Sequence, residues 1–320
     1  MFSKKLFKRI FWICLSLFIL MNVSAYFHAY KFTHFNPDAA LKTKDAKHLS
    51  FGEKAETIFF GINNPRPENK TEPSVPFETI KLKSNKEIEC WKINTDSSCI
   101  DCTSPKGTVI LFHGYSGQKS SMLDKADIFL KLGYNVLLPD FMGSGGSEGN
   151  QTTIGFYEAE EVKTCVDYIS SSGEKNIILF GTSMGAAAIM KAMNDHPLPV
   201  SSIILECPFG SMLDAVKNRF AEMNVPVFPM AYLLVFWGGV QNGFNAFNHC
   251  PSDYGKNIHC PALLLYGEKD EKVTREEIDE IFKNIAGEKK LITYPDAGHE
   301  NYLRKYKEEW KEDIKAFLKK

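Results

Sequence analysis

The chain has 320 residues, 24% of them charged, and a formal net charge of -1. That balance leaves no basic footprint for a polyanion, so nucleic acid is excluded as a partner. The length suits one large α/β domain, and the chain shows no internal repeat or low-complexity tract.

Residues 1–35 stand apart. Lys4, Lys5, Lys8 and Arg9 precede the uncharged apolar run "IFWICLSLFILMNVSAYF", and the first acidic residue is Asp38. The pattern reads as a signal anchor or a signal peptide, with Val23–Ala25 as a small-residue cleavage site. The aromatic continuation "YFHAYKFTHF" suits a membrane interface and favours retention of the anchor. Positive charge ahead of the run puts the remainder outside the cytoplasm, membrane-anchored if uncut and secreted or periplasmic if cut. Residues 36–76 are polar and Pro-rich and are expected to form a linker with little regular structure.

From residue 77 onward the pattern is that of one domain. "FETIKLKS" and "IECWKI" alternate as a leading hairpin, and buried runs follow at "TVILF", "YNVLLP", "NIILF", "SIILE", "ALLLY" and "KLITYP". Helical stretches lie between most of them, which predicts a mostly parallel sheet covered on both faces. The alternation breaks at about 211–250, where "VPVFPMAYLLVFWGGV" is apolar but too short and too rich in Pro and Gly to span a membrane. It reads as a cap forming an apolar substrate pocket. The last helix carries Tyr302, Tyr306, Trp310 and Ile314 on one stripe and reads as docked.

Two pentapeptides fit Gly-x-Ser-x-Gly: "GTSMG" around Ser183 and "GGSEG" around Ser147. A nucleophile elbow needs a strand entering, a sharp turn at the serine and a helix leaving, with small flanking residues where these crowd together. "NIILF" supplies the strand, and "AAAIMKAM" begins a helix at once. Ser147 lies in a glycine-rich loop without a helix, so Ser183 is the candidate nucleophile.

A serine needs a base, and the base an orienting acid. "ALLLYGEKD" ends one strand and delivers Asp270; "KLITYPDAGH" ends the next and delivers His299. The order Ser183, Asp270, His299 is the one this elbow requires. Glu206, Asp296 and Asp253 are lesser acids. His28, His34 and His48 precede the domain, and His196 ends a helix. The Met184 N–H and the Tyr115 N–H of "HGYSG" are the expected oxyanion donors, with His113 a structural loop residue.

The remaining cysteines offer little. Cys165 and Cys207 read as buried thiols, and Cys99 and Cys102 as a local disulfide or free thiols in a polar loop. His249-Cys250 and His259-Cys260 invite a zinc reading, but adjacent His-Cys pairs do not match ligand spacing. A loop, with a Cys250–Cys260 disulfide left open, is the alternative.

"HGYSG", "PDFMGSGGS", "GTSMG", "GEKD" and "DAGH" together resemble the α/β-hydrolase superfamily, most closely its membrane-anchored or secreted serine-aminopeptidase-like and dienelactone-hydrolase-like members. The resemblance covers residues 77–320. It implies an eight-stranded, mostly parallel sheet with a helical cap, no metal and no cofactor, and cleavage of esters, amides or thioesters through an acyl-enzyme. Phe141 departs from the Arg or His often found after Asp140, which bears on substrate contacts. The expected function is a serine hydrolase of carboxylic esters with an apolar or lipid-like acyl group, the membrane being its partner through the N-terminal segment. A peptidase, an acyltransferase and a non-catalytic binding protein are the rivals.

Overall fold

The computed structural model describes residues 4–38, 50–95 and 104–319. His48, Cys99 and Cys102 lie outside them. Eight strands form one sheet in the order β1-β2-β4-β3-β5-β6-β7-β8. β1 (Glu78–Lys83) and β2 (Glu87–Ile93) make the expected hairpin, and β2 also runs antiparallel to β4 (Asn135–Pro139). β3 (Thr108–Phe112), β4, β5 (Ile177–Thr182), β6 (Ser202–Glu206), β7 (Ala262–Gly267) and β8 (Lys289–Tyr294) are parallel. The fully buried strands β3, β6 and β7 are the uninterrupted apolar runs, as covering on both faces demands. β1 is an edge strand, and its exposed lysines discourage pairing with another chain.

Alternate strand residues feed two cores. Ile110, Phe112 and Leu179 face α4 (Glu158–Ser171), α5 (Met184–Asp195) and α9 (Arg275–Asn284). Val109, Leu111 and Phe180 face α3 (Leu123–Lys131) and α11 (Lys307–Leu318), whose Trp310 is fully buried. The predicted last helix is divided into α10 (Tyr302–Lys305) and α11. The cap consists of α6 (Met212–Glu222) and α7 (Met230–Asn242), followed by the short α8 (Pro251–Tyr254).

The N-terminal segment is one long helix that also packs on the domain. α1 (Lys4–Thr33) is a single helix of 30 residues, long and apolar enough to cross a membrane by length and composition. Its last turns dock on the cap. Ser24, Ala25, Ala29 and Thr33 are buried, Trp237 Nε1 donates to Asn22 Oδ1 at 3.2 Å, and Gln241 Nε2 donates to the Tyr26 carbonyl at 2.8 Å. The chain beyond is stitched to the hydrolase domain by Phe35 N–H to Asn150 O at 2.6 Å and Thr152 N–H to Thr33 O at 2.8 Å.

The expected linker is also more ordered than its composition suggests. It holds α2 (Phe51–Phe60), started by a capping box in which Ser50 and Glu53 satisfy each other's backbone N–H. Arg66 donates to the carbonyls of Gly145, Ser147 and Gly149, and Asn69 Nδ2 to Asp140 Oδ2 at 2.8 Å.

Beneath the carboxyl edge of the sheet lies a buried ion pair. Lys125 Nζ is 2.8 Å from Glu206 Oε2, both side chains being almost inaccessible. Glu206 also accepts from Thr182 Oγ1 at 2.9 Å and Trp310 Nε1 at 3.3 Å. Replacing Lys125 with Met strands a buried carboxylate, and such a loss costs about 3–5 kcal/mol. Urea unfolding of the full chain in detergent is expected to show a drop of that size; a change below about 1 kcal/mol contradicts the pairing.

Candidate active site

Ser183 stands where β5 turns into α5, with φ 52° and ψ −109°. A non-glycine residue adopts that backbone only where surrounding contacts enforce it. Its N–H donates to the Glu206 carbonyl at 2.7 Å, tying the turn to β6. The flanking glycines are required by space. A Cβ on Gly181 would lie 2.6 Å from Ala186 N, and one on Gly185 would lie 2.5 Å from the Phe112 carbonyl oxygen.

The loop after β7 brings Asp270 to the same edge. Oδ1 accepts from the N–H groups of Lys272 at 2.8 Å and Val273 at 3.0 Å, while Oδ2 lies 2.8 Å from His299 Nδ1. The loop after β8 carries His299, whose Nε2 is 3.1 Å from Ser183 Oγ. With Nδ1–H donated to Asp270, Nε2 is left to accept the serine proton. The structure thus brings together Ser183, His299 and Asp270.

The two expected oxyanion donors flank the serine. Met184 opens α5, so its N–H has no intrahelical acceptor. Tyr115 lines the same cavity as Ser183, Met184 and His299. A Cβ on the preceding Gly114 would lie 3.7 Å from Ser183 Cβ, so this loop passes close to the serine. His113 is fully buried; its Nδ1–H donates to Gly114 O at 2.8 Å and its Nε2 accepts from Phe141 N–H at 3.0 Å. Burial lowers its pKa, consistent with a neutral ring that fixes the loop.

The other named groups lie elsewhere. Ser147 is buried, with its Oγ donating to Asp140 O at 2.7 Å and accepting from Glu89 N–H at 2.8 Å. Asp140 is held by the buried Lys119. Asp296 pairs with Lys269 and Asp253 with Lys256, all at the surface. His196 contacts Glu160. His249 is buried between Tyr254 Oη at 3.2 Å and Ile154 O at 3.0 Å, whereas His259 is exposed. These pairs form no ligand cluster among the described residues, and Cys250 and Cys260 are free thiols. Phe141 is buried against Phe112, with ring centroids 5.3 Å apart, and does not line the Ser183 cavity.

Three residues were not anticipated. Cys207, directly after Glu206, places its sulfur within 4.8 Å of ligating atoms of Asp270 and His299; its position at the end of β6 was the available signal. Arg219 of α6 lies over Phe32 and Tyr115, at 5.0 and 5.6 Å from their ring centroids. Phe32 itself comes from α1. The lining around Ser183 includes Arg219 and Lys272 and, among the described residues, no carboxylate.

Strand order, elbow and loop positions define the class of fold: the chain has the α/β-hydrolase fold. The family model described as serine aminopeptidase, S33, matches residues 103–243. The chain is similar to uncharacterized protein YqkD of Bacillus subtilis (strain 168), 25% identical over 215 residues, 66% of this chain and 70% of that protein. It is 26% identical over 205 residues to the lysophosphatidylserine lipase ABHD12 of Xenopus tropicalis, which is 62% of this chain and 50% of the lipase. The match thus spans half the length of that relative. Among solved structures, the Pyrococcus furiosus esterase Pf2001 shares the fold with a TM-score of 0.66 at 24% identity, over 80% of this chain and 96% of the esterase.

Burial of the His299 ring opposes its protonation, but the nearby Cys207 sulfur and the Asp270 hydrogen bond outweigh it, raising its pKa from 6.5 to about 10. An NMR titration of His299 is therefore expected to give a midpoint above 6.5. Cys207→Ala and Asp270→Asn are each expected to lower it. A midpoint at or below 6.5 in the unsubstituted chain contradicts the arrangement.

Proposed function

We propose that this α/β hydrolase is a serine esterase acting on carboxylic esters with an apolar, lipid-like acyl group. The observation that carries the reading is the chain of contacts Ser183 Oγ to His299 Nε2 at 3.1 Å and His299 Nδ1 to Asp270 Oδ2 at 2.8 Å, in a cavity that Tyr115 and Met184 also line. His299 removes the Ser183 proton as Oγ attacks the ester carbonyl. The Tyr115 and Met184 N–H groups hold the oxyanion, worth on the order of 10²–10³ in rate for one donor. The tetrahedral intermediate collapses, and His299 delivers its proton to the departing alkoxide. Water deprotonated by His299 then attacks the acyl-serine and releases the acid. Asp270 fixes the tautomer and stabilises the imidazolium.

The cavity lining favours this reading over an aminopeptidase. A substrate ammonium needs an acidic partner, and the residues around Ser183 offer Arg219 and Lys272 instead. Asp214, one of the cap acids, is engaged by Ser211 and Lys217. The N-terminal helix is assigned as a membrane anchor with the catalytic domain outside the cytoplasm, in keeping with Lys4, Lys5, Lys8 and Arg9 at its start. The likeness to a lysophosphatidylserine lipase supports a lipid-like substrate.

Two measurements test the reading. A fluorophosphonate probe is expected to label the peptide containing Ser183, with label and ester turnover both lost in Ser183→Ala by a factor on the order of 10⁴–10⁶. Label on the Ser147 peptide, or full turnover in the variant, rejects the assignment. Because only neutral His299 can accept the serine proton, its raised pKa places the rising limb of kcat/KM above pH 6.5, and Asp270→Asn is expected to move that limb to lower pH with a reduced plateau.

A further inference from the structure

We infer that the N-terminal helix is itself one wall of the substrate site: the cavity between α1 and the cap is the subsite for the acyl chain. This rests on the esterase reading above and adds to it where the chain goes and which element encloses it.

The cavity lies between Ala29, Phe32 and Thr33 of α1 and Leu234, Val235 and Gly238 of α7. Phe32, Ile154, Met212 and Val216 line both this cavity and the one that holds Ser183, so the two adjoin. An acyl group attached to Ser183 Oγ therefore has an apolar continuation toward α1. Two of the dividing side chains, Met212 and Val216, belong to the cap helix α6, and an unbranched thioether can change rotamer at small cost.

The lining has little to offer a polar ligand. Each of its polar side chains makes a hydrogen bond within the protein. Thr33 Oγ1 donates to Ala29 O at 2.9 Å, Thr153 Oγ1 to Glu158 Oε2 at 2.5 Å, and Asn242 Nδ2 to Gly238 O at 2.8 Å. A cavity with apolar walls and internally paired polar groups excludes water and accepts hydrocarbon. The chemistry it fits is a linear acyl chain, while a hydroxylated or charged group would be left without partners.

Gly238 gives the means to test this. It lies inside α7, yet a Cβ built on it meets nothing within 4 Å, unlike the adjacent Gly239, whose Cβ would lie 2.5 Å from Phe244 O. A larger side chain at Gly238 occupies open space, and replacing glycine inside a helix favours the helix.

The full chain in detergent micelles is assayed with 4-nitrophenyl acetate and 4-nitrophenyl dodecanoate. Gly238→Leu is expected to lower kcat/KM for the dodecanoate by about tenfold or more while leaving the acetate within about twofold. Ala29→Leu, on the opposite wall, is expected to show the same chain-length selectivity and decides the matter if Gly238→Leu does not fold. Equal losses on both esters, or an unchanged dodecanoate rate, overturn the subsite while leaving the esterase reading intact. Turnover of neither ester by the unsubstituted chain removes both.

Discussion

The left-handed backbone at Ser183 is the constraint on which the site depends. Holding a serine there costs about 1–3 kcal/mol, and surrounding structure must supply it. The supply is visible. Gly181 and Gly185 let the strand, turn and helix come into contact, and the Glu206 carbonyl takes the serine N–H. Glu206 is fixed in turn by Lys125, Thr182 and Trp310, reaching from α3, β5 and α11. The serine's placement is thus a property of four elements, and two of them sit on the sheet face opposite α5. The buried ion pair, an expensive device for stability alone, makes sense as a means of fixing the turn.

Electrostatics around the serine point one way. Asp270 is buried and accepts two backbone N–H groups besides the His299 ring, so its charge is directed at the imidazole. Arg219 and Lys272 line the same cavity, and burial lowers the Arg219 pKa without removing its charge at neutral pH. On the proposed mechanism an oxyanion at Ser183 would develop in this cationic surrounding, whereas an incoming ammonium would meet no counter-charge among the described lining residues.

Much of this was legible in the amino-acid pattern, for physical reasons. Buried parallel strands must be apolar on both faces, so β3, β5, β6 and β7 announce themselves. The elbow demands a strand, small residues and a helix in immediate succession, which separated Ser183 from Ser147. What was illegible depends on tertiary packing. The face that α1 buries is made of Ser24, Ala25, Ala29 and Thr33, small residues that a hydropathy reading absorbs into the surrounding apolar run. Nothing local marks Arg219 as facing Phe32 and Tyr115, since those residues are distant in the chain. The helix α2 is a different case. Its capping box, Ser50 with Glu53, stands in the sequence, and the Pro-rich stretch after it obscured the signal.

Helix length bears on how α1 meets the cap. A hydrocarbon core takes about 20 helical residues, whereas α1 has 30. Counted from Ile10, after the last basic residue ahead of the apolar run, a stretch of about 20 residues ends near Ala29, so the apolar run reaches the last turns of α1. Those are the turns whose small residues are buried against α7. The outward face of the cap carries Met223, Val225, Phe228, Tyr232, Phe236 and Val240, all exposed. Exposed apolar clusters of this kind are costly in water and favourable at a lipid interface. The helix α1 is therefore part of the domain's packing, because it docks on α7 and its residue Phe32 reaches the cavity of Ser183. If the proposed acyl subsite and the proposed anchor both hold, they share this one helix, and a change in α1 packing acts on both.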